Sequence, residues 1–155
     1  MLLTPHILIG VAIITLVRNP ILGLIFVLLS HYFLDLFPQK EYTIKTIKAG
    51  QWSKSFFDFS KVFLDIFLGL TIIFFITGYS YLILTAVFAS LIPDGLTLLH
   101  CIFPKNRLLK KHMKIHGAIN AVCENKKIPV FWGIASQAAA IAAAIYFLIQ
   151  PQILL

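Results

Sequence analysis

The sequence predicts an all-α, polytopic membrane protein with about five transmembrane helices and one interfacial amphipathic helix. Three observations carry this reading. Of the 155 residues, 59% are hydrophobic and only 12% charged, too apolar a balance for an ordinary soluble domain. The apolar residues come in long runs separated by two lysine-rich stretches. Finally, every Lys and Arg except Arg18 lies in the loops 38–61 and 101–128, which five spans place on one side of a bilayer.

The spans are read at 2–17, 20–37, 62–77, 79–100 and 129–150, within a single domain 1–155. A full crossing takes about 20 residues, so the first and third are short and call for local thinning or flanking side chains that reach the interface. No Lys or Arg precedes the first, and Thr4-Pro5-His6 is no basic leader, so it reads as a helix of the protein and not as a signal peptide. Arg18-Asn19-Pro20 and Gly78 make tight turns that pair the flanking helices, and Pro38 ends the second helix. In the 38–61 loop, Trp52, Phe56, Phe57 and Phe59 among lysines suit a short segment lying in the headgroup layer.

The stretch 107–124 reads as an interfacial helix. Leu108, Leu109, His112, Ile115, His116, Ile119, Val122 and Cys123 share one arc, with Lys110, Lys111 and Lys114 outside it, so both histidines look towards membrane or bundle. In the last span, Ala135, Ala139 and Ala143 recur every fourth position and permit close helix approach. Packing inside the bundle and a homo-oligomer seam are both open.

The positive-inside rule puts both basic loops and the N-terminus in the cytoplasm and the C-terminus outside. It also assigns the net charge of +7 to anionic inner-leaflet headgroups and membrane lipids rather than to nucleic acid. Cys101 and Cys123 both fall on the cytoplasmic side, where a structural disulfide is not expected.

Against this background the ionisable residues within apolar segments stand out, because a charge in hydrocarbon must be paired, neutralised or used. His6, His31, Asp35, Asp65, Asp94 and His100 come from four spans and all lie at the cytoplasmic end. His31 and Asp35 share a helix face and offer an imidazole and a carboxylate to one divalent ion, or simply hydrogen-bond each other. Asp94 follows Pro93, whose ring interrupts the helix ladder. His100 is six residues further, on a different face of an ideal helix. His6 precedes Gly10 by one turn, and the glycine admits a neighbouring helix or a ligand. Asp65 is either a general base or an ion-pair partner of Lys61 one turn before it.

At Thr4-Pro5-His6-Ile7-Leu8-Ile9-Gly10 and Ser30-His31-Tyr32-Phe33-Leu34-Asp35-Leu36-Phe37-Pro38 the chain resembles the YdjM-like family of small prokaryotic inner-membrane proteins, predicted to be metal-dependent hydrolases. The resemblance covers about the first 42 residues and continues loosely through Pro93-Asp94 and His116-Gly117. It implies a prokaryotic inner-membrane location and a metal site formed by His6, His31, Asp35, Asp94 and His116. The chain departs from the pattern after Pro38, where Gln39 stands in place of a further histidine.

Two functions then compete. A hydrolase would hold a divalent metal, zinc by donor type, with Asp94 or Asp65 as catalytic base and a phosphoester or lipid-like substrate. A non-catalytic assembly or complex subunit would use the same residues as a structural His–Asp network. A proton or ion pathway ranks last, since the outer halves of the helices offer little beyond Ser and Thr.

Overall fold

The computed structural model describes residues 2–40, 42–124 and 129–150, with 122–124 known by backbone alone. The side chains of Val122, Cys123, Lys126 and Lys127 lie outside that set. Among the described residues the fold is all-helical: α1 (Leu3–Leu16), α2 (Pro20–Leu34), α3 (Lys45–Lys48), α4 (Phe56–Thr77), α5 (Tyr81–Ile102), α6 (Arg107–Glu124) and α7 (Val130–Ile149), with a single 3₁₀ turn at Trp52–Lys54.

The centre of the bundle is α1, which packs against α2, α4, α5 and α7. Its sequence is apolar all round, the signature of a fully enclosed helix, and Ile7, Leu8, Val11 and Ile14 are all buried. The other helices bury one stripe and expose the rest. Ile21, Ile25, Phe26, Leu29 and Phe33 of α2 face outward, as do Phe63, Phe67 and Phe75 of α4, the last 92% exposed. So large an apolar exterior is compatible with a membrane protein.

Three helices, α4, α5 and α7, are long and apolar enough to cross a membrane, fewer than the five expected. At 14 and 15 residues, α1 and α2 are shorter than a full crossing; at 1.5 Å per residue they reach only about 21–23 Å. The span expected at 62–77 is a 22-residue helix that starts at Phe56, so Phe56, Phe57 and Phe59 open α4 instead of lying in a surface loop. Asp58 in its first turn accepts from Thr46 N–H (2.9 Å) and Thr46 Oγ1 (2.6 Å) and pairs with Lys61 (3.0 Å). Lys61 also donates to the Thr43 carbonyl. An acidic group suits a helix start, and this one ties the preceding loop to it.

The buried stripe of α7 runs through Gly133, Gln137, Ala144 and Leu148. Ala139 and Ala143 are exposed and Ala135 is half-buried, so internal packing uses a different face from the alanine register read in the sequence. Where every position is alanine, the few non-alanine residues decide which face turns inward.

Gly10 shows how tightly α1 meets its neighbours. A methyl group there would stand 3.0 Å from Ser90 Cβ on α5 and 3.1 Å from Val27 Cγ1 on α2. Gly10→Val is therefore expected to destabilise the bundle by about 1–3 kcal/mol, the usual cost of overpacking, measured as a shift in the denaturant midpoint of the purified protein.

Candidate metal centre

Five ionisable side chains converge where the N-terminus of α1, the C-terminus of α2, the last third of α5 and the middle of α6 meet. His6, His31, Asp35 and His116 are buried, and Asp94 is 31% exposed. Asp35 is the hub. Its Oδ1 lies 3.4 Å from His6 Nε2, and its Oδ2 lies 3.5 Å from His31 Nε2 and 2.8 Å from His116 Nε2. Asp94 Oδ1 stands 3.9 Å from both His31 Nε2 and His116 Nε2.

The outer hydrogen bonds decide what the imidazoles present. His31 Nδ1 lies 2.8 Å from the Ser90 carbonyl, which can only accept, so Nδ1 carries the proton. In a neutral ring Nε2 is then a bare lone pair. His116 Nδ1 lies 3.0 Å from Thr97 Oγ1, whose own hydroxyl reaches the Pro93 carbonyl at 3.2 Å. Thr97 Oγ1 can donate to or accept from that nitrogen, and His116 Nε2 hydrogen-bonds Asp35 Oδ2 at 2.8 Å. Lone pairs aimed at carboxylates repel, so the arrangement calls for positive charge between them: a proton on an imidazole or a cation.

The donor set can hold a metal. The ligand atoms of His6, His31 and Asp94, and those of His31, Asp35 and His116, lie within 4.8 Å of one another in each group. Both groups contain His31, so they are two overlapping three-residue sets around one imidazole. Atoms about 2.0–2.2 Å from an ion in a tetrahedral array stand roughly 3.3–3.6 Å apart. The His6–Asp35 and His31–Asp35 separations, 3.4 and 3.5 Å, fall in that range, the His116–Asp35 contact at 2.8 Å is shorter and the two Asp94 contacts at 3.9 Å are longer. His6 Nε2 and His31 Nε2 are also buried without a hydrogen-bond partner. Such atoms are expensive to leave alone, and a shared cation would satisfy both.

On α6 the expected apolar arc divides. His116 is buried and His112 half-buried against the bundle, while Leu108 (79% exposed) and Ile115 face outward. Burial alone would lower the His116 pKa, but its bond to Asp35 and the charge of Asp94 raise it above the ordinary imidazole value. His112 is not a ligand. Its Nε2 donates to the Pro93 carbonyl at 2.9 Å, and burial, the largest influence on it, lowers its pKa. Tyr32 OH lies 3.5 Å from the remaining His112 nitrogen.

Two candidates fall elsewhere. Asp65 is buried, and its carboxylate accepts from Leu3 N–H (2.5 Å), Thr4 N–H (3.1 Å) and Thr4 Oγ1 (2.6 Å). It caps the start of α1 from another helix, and Lys61 pairs with Asp58 instead. Asp65 belongs to neither ligand group and is engaged with the start of α1. His100, in the last turn of α5, belongs to neither ligand group.

The supporting partners Ser90, Thr97 and Gln39 were not singled out as such from the sequence. A signal for two of them exists: Ser90, Asp94 and Thr97 are spaced i, i+4, i+7 and form a polar stripe on an otherwise apolar helix. Fold and site together define an all-helical protein with three helices long and apolar enough to span a membrane and a buried His–Asp cluster able to hold a metal ion. No family model, no curated protein and no solved structure matches the chain. The likeness to YdjM-like proteins therefore rests on its two motifs.

Proposed function

We propose that the chain is a five-pass protein of a prokaryotic inner membrane and a metal-dependent hydrolase acting at the cytoplasmic face. The observation that carries this reading is the cluster of three imidazoles and two carboxylates in two overlapping three-residue sets, all but Asp94 buried, with two Nε2 atoms left unpartnered. In this reading α1 and α2 form a short hairpin that completes the five spans, and the basic loops lie in the cytoplasm.

His6, His31, Asp35 and His116 would hold the ion, with Asp94 completing the set or standing free beside it. A zinc-type ion supplies Lewis acidity, polarising a substrate oxygen and making water acidic near neutral pH. The chain's own residues do the rest. Asp94 is the only partly exposed member of the cluster and is the candidate to accept a proton. Ser90 holds the His31 ring in the tautomer a metal requires, and Thr97 anchors the ring of His116. The lysines of α6, with Leu108 and Ile115 outward beside them, suit an anionic lipid surface and a phosphoester-bearing, lipid-like substrate.

Elemental analysis of detergent-purified protein tests the metal. The wild type is expected to carry about one equivalent of a divalent transition metal by this donor set, and the His31→Ala/Asp35→Ala variant none. A folded wild type that stays metal-free after incubation with zinc overturns the reading. That result would favour the second one, a structural network, for which the 2.8 Å His116–Asp35 contact already has the distance of an imidazolium–carboxylate hydrogen bond.

A further inference from the structure

The N-terminal end of α7 grips the backbone of residues 38–40 just beyond α2. Ser136 Oγ donates to the Pro38 carbonyl, and Gln137 Nε2 donates to the Lys40 carbonyl at 3.0 Å. Between those two anchors, Gly133 lies directly against the chain. A methyl group on it would meet the Gln39 carbonyl carbon at 3.1 Å, Lys40 N at 3.2 Å and Gln39 O at 3.3 Å. These are backbone atoms that cannot swing aside as a side chain would. Gly133, Ser136 and Gln137 are spaced i, i+3, i+4 and so present one face to the segment.

Gln39 is held at the middle of this grip, and its amide Nε2 donates to Asp35 Oδ1 at 3.4 Å. Helix geometry does not place it there, because α2 ends at Leu34 and Pro38 intervenes. Its Oε1 is buried without a hydrogen-bond partner. Among the described residues Asp35 Oδ1 otherwise faces His6, while Oδ2 takes His31 and His116. A donor on Oδ1 therefore fixes the rotation of the carboxylate that all three imidazoles share.

We propose that α7 is a working part of the metal centre: it seats Gln39, and Gln39 orients Asp35 for the ion. Gln39 and Gly133 are thus positioning residues, a role that rests on the metal-site reading above. Outer partners of a metal-ligating carboxylate typically change affinity by 10–100-fold.

Cobalt(II) titration of the full-length protein in detergent, followed by its visible absorption, tests the proposal on Gln39→Met, Gly133→Ala and the double variant. Each single change is expected to weaken Co²⁺ binding by about tenfold and to alter the cobalt spectrum. Because Gly133 acts through Gln39, the double variant should bind no more weakly than Gln39→Met alone. Unchanged affinity and spectrum in Gln39→Met overturn the proposal, as does additive loss in the double variant; in both cases the metal reading survives if His31→Ala/Asp35→Ala still abolishes binding. Gln39→Met decides alone if Gly133→Ala fails to fold. A wild type that binds no cobalt removes the metal reading and this inference with it.

Discussion

Asp35→Asn is expected to strip the metal from the purified protein while leaving the helices folded. The substitution keeps the shape and volume of the side chain but removes its charge. Three imidazole nitrogens approach this one carboxylate, at 2.8, 3.4 and 3.5 Å. Only an anion there balances a divalent ion in a buried setting. Loss of the hub should weaken binding by more than about 100-fold, beyond the range of an outer partner. Inductively coupled plasma analysis reads the metal, and far-ultraviolet circular dichroism reads the helices. Retention of a full equivalent in the Asn variant would remove Asp35 from the ligand set.

Asp65→Ala is expected to be the costliest single change for stability outside the cluster. The first N–H groups of any helix lack partners within it. In α1 those of Leu3 and Thr4 are buried, and Asp65 accepts both together with the Thr4 hydroxyl. Alanine leaves these buried donors unsatisfied at about 1–3 kcal/mol each. A loss on the order of 3–5 kcal/mol is expected, read from denaturation of the detergent-solubilised protein. Asp65→Asn keeps an acceptor and should fall between the two. An Ala variant as stable as the wild type would show that the cap contributes nothing.

The cluster was legible because its residues are expensive in apolar sequence. His6, His31, Asp35, Asp94 and His116 come from four helices, and the fold brings them to one point. For the first four the cost of burial was signal enough, whereas His116 was pointed to by its arc on α6 and by the motif resemblance, and the same cost also marked Asp65 and His100, which lie outside the cluster. Asp65 was legible as costly but not as a cap, because nothing local says that another helix begins beside it. The start of α4 was obscured by Lys54, Asp58 and Lys61, whose charges read as loop; in the structure Asp58 and Lys61 fasten the loop to the helix's first turns. The inward face of α7 was hidden by the uniformity of its alanines. Gln39 was visible only as a departure from a motif, and its bond to Asp35 depends on a contact with residues almost a hundred positions later.

The cap on α1 bears on how the protein is made. Asp65 sits about 14 Å along α4 from that helix's first residue, so the start of α1 lies well below the end of its neighbour. The segment that becomes α1 leaves the ribosome before α4 exists, with buried amides that have no partner. It is also too short to cross a bilayer by itself. The helix at the centre of the bundle is consequently synthesised early and completed late, when α4 delivers the carboxylate that closes its end. The ligand cluster, which begins two residues further along α1 at His6, is complete only once Asp94 of α5 and His116 of α6 have followed.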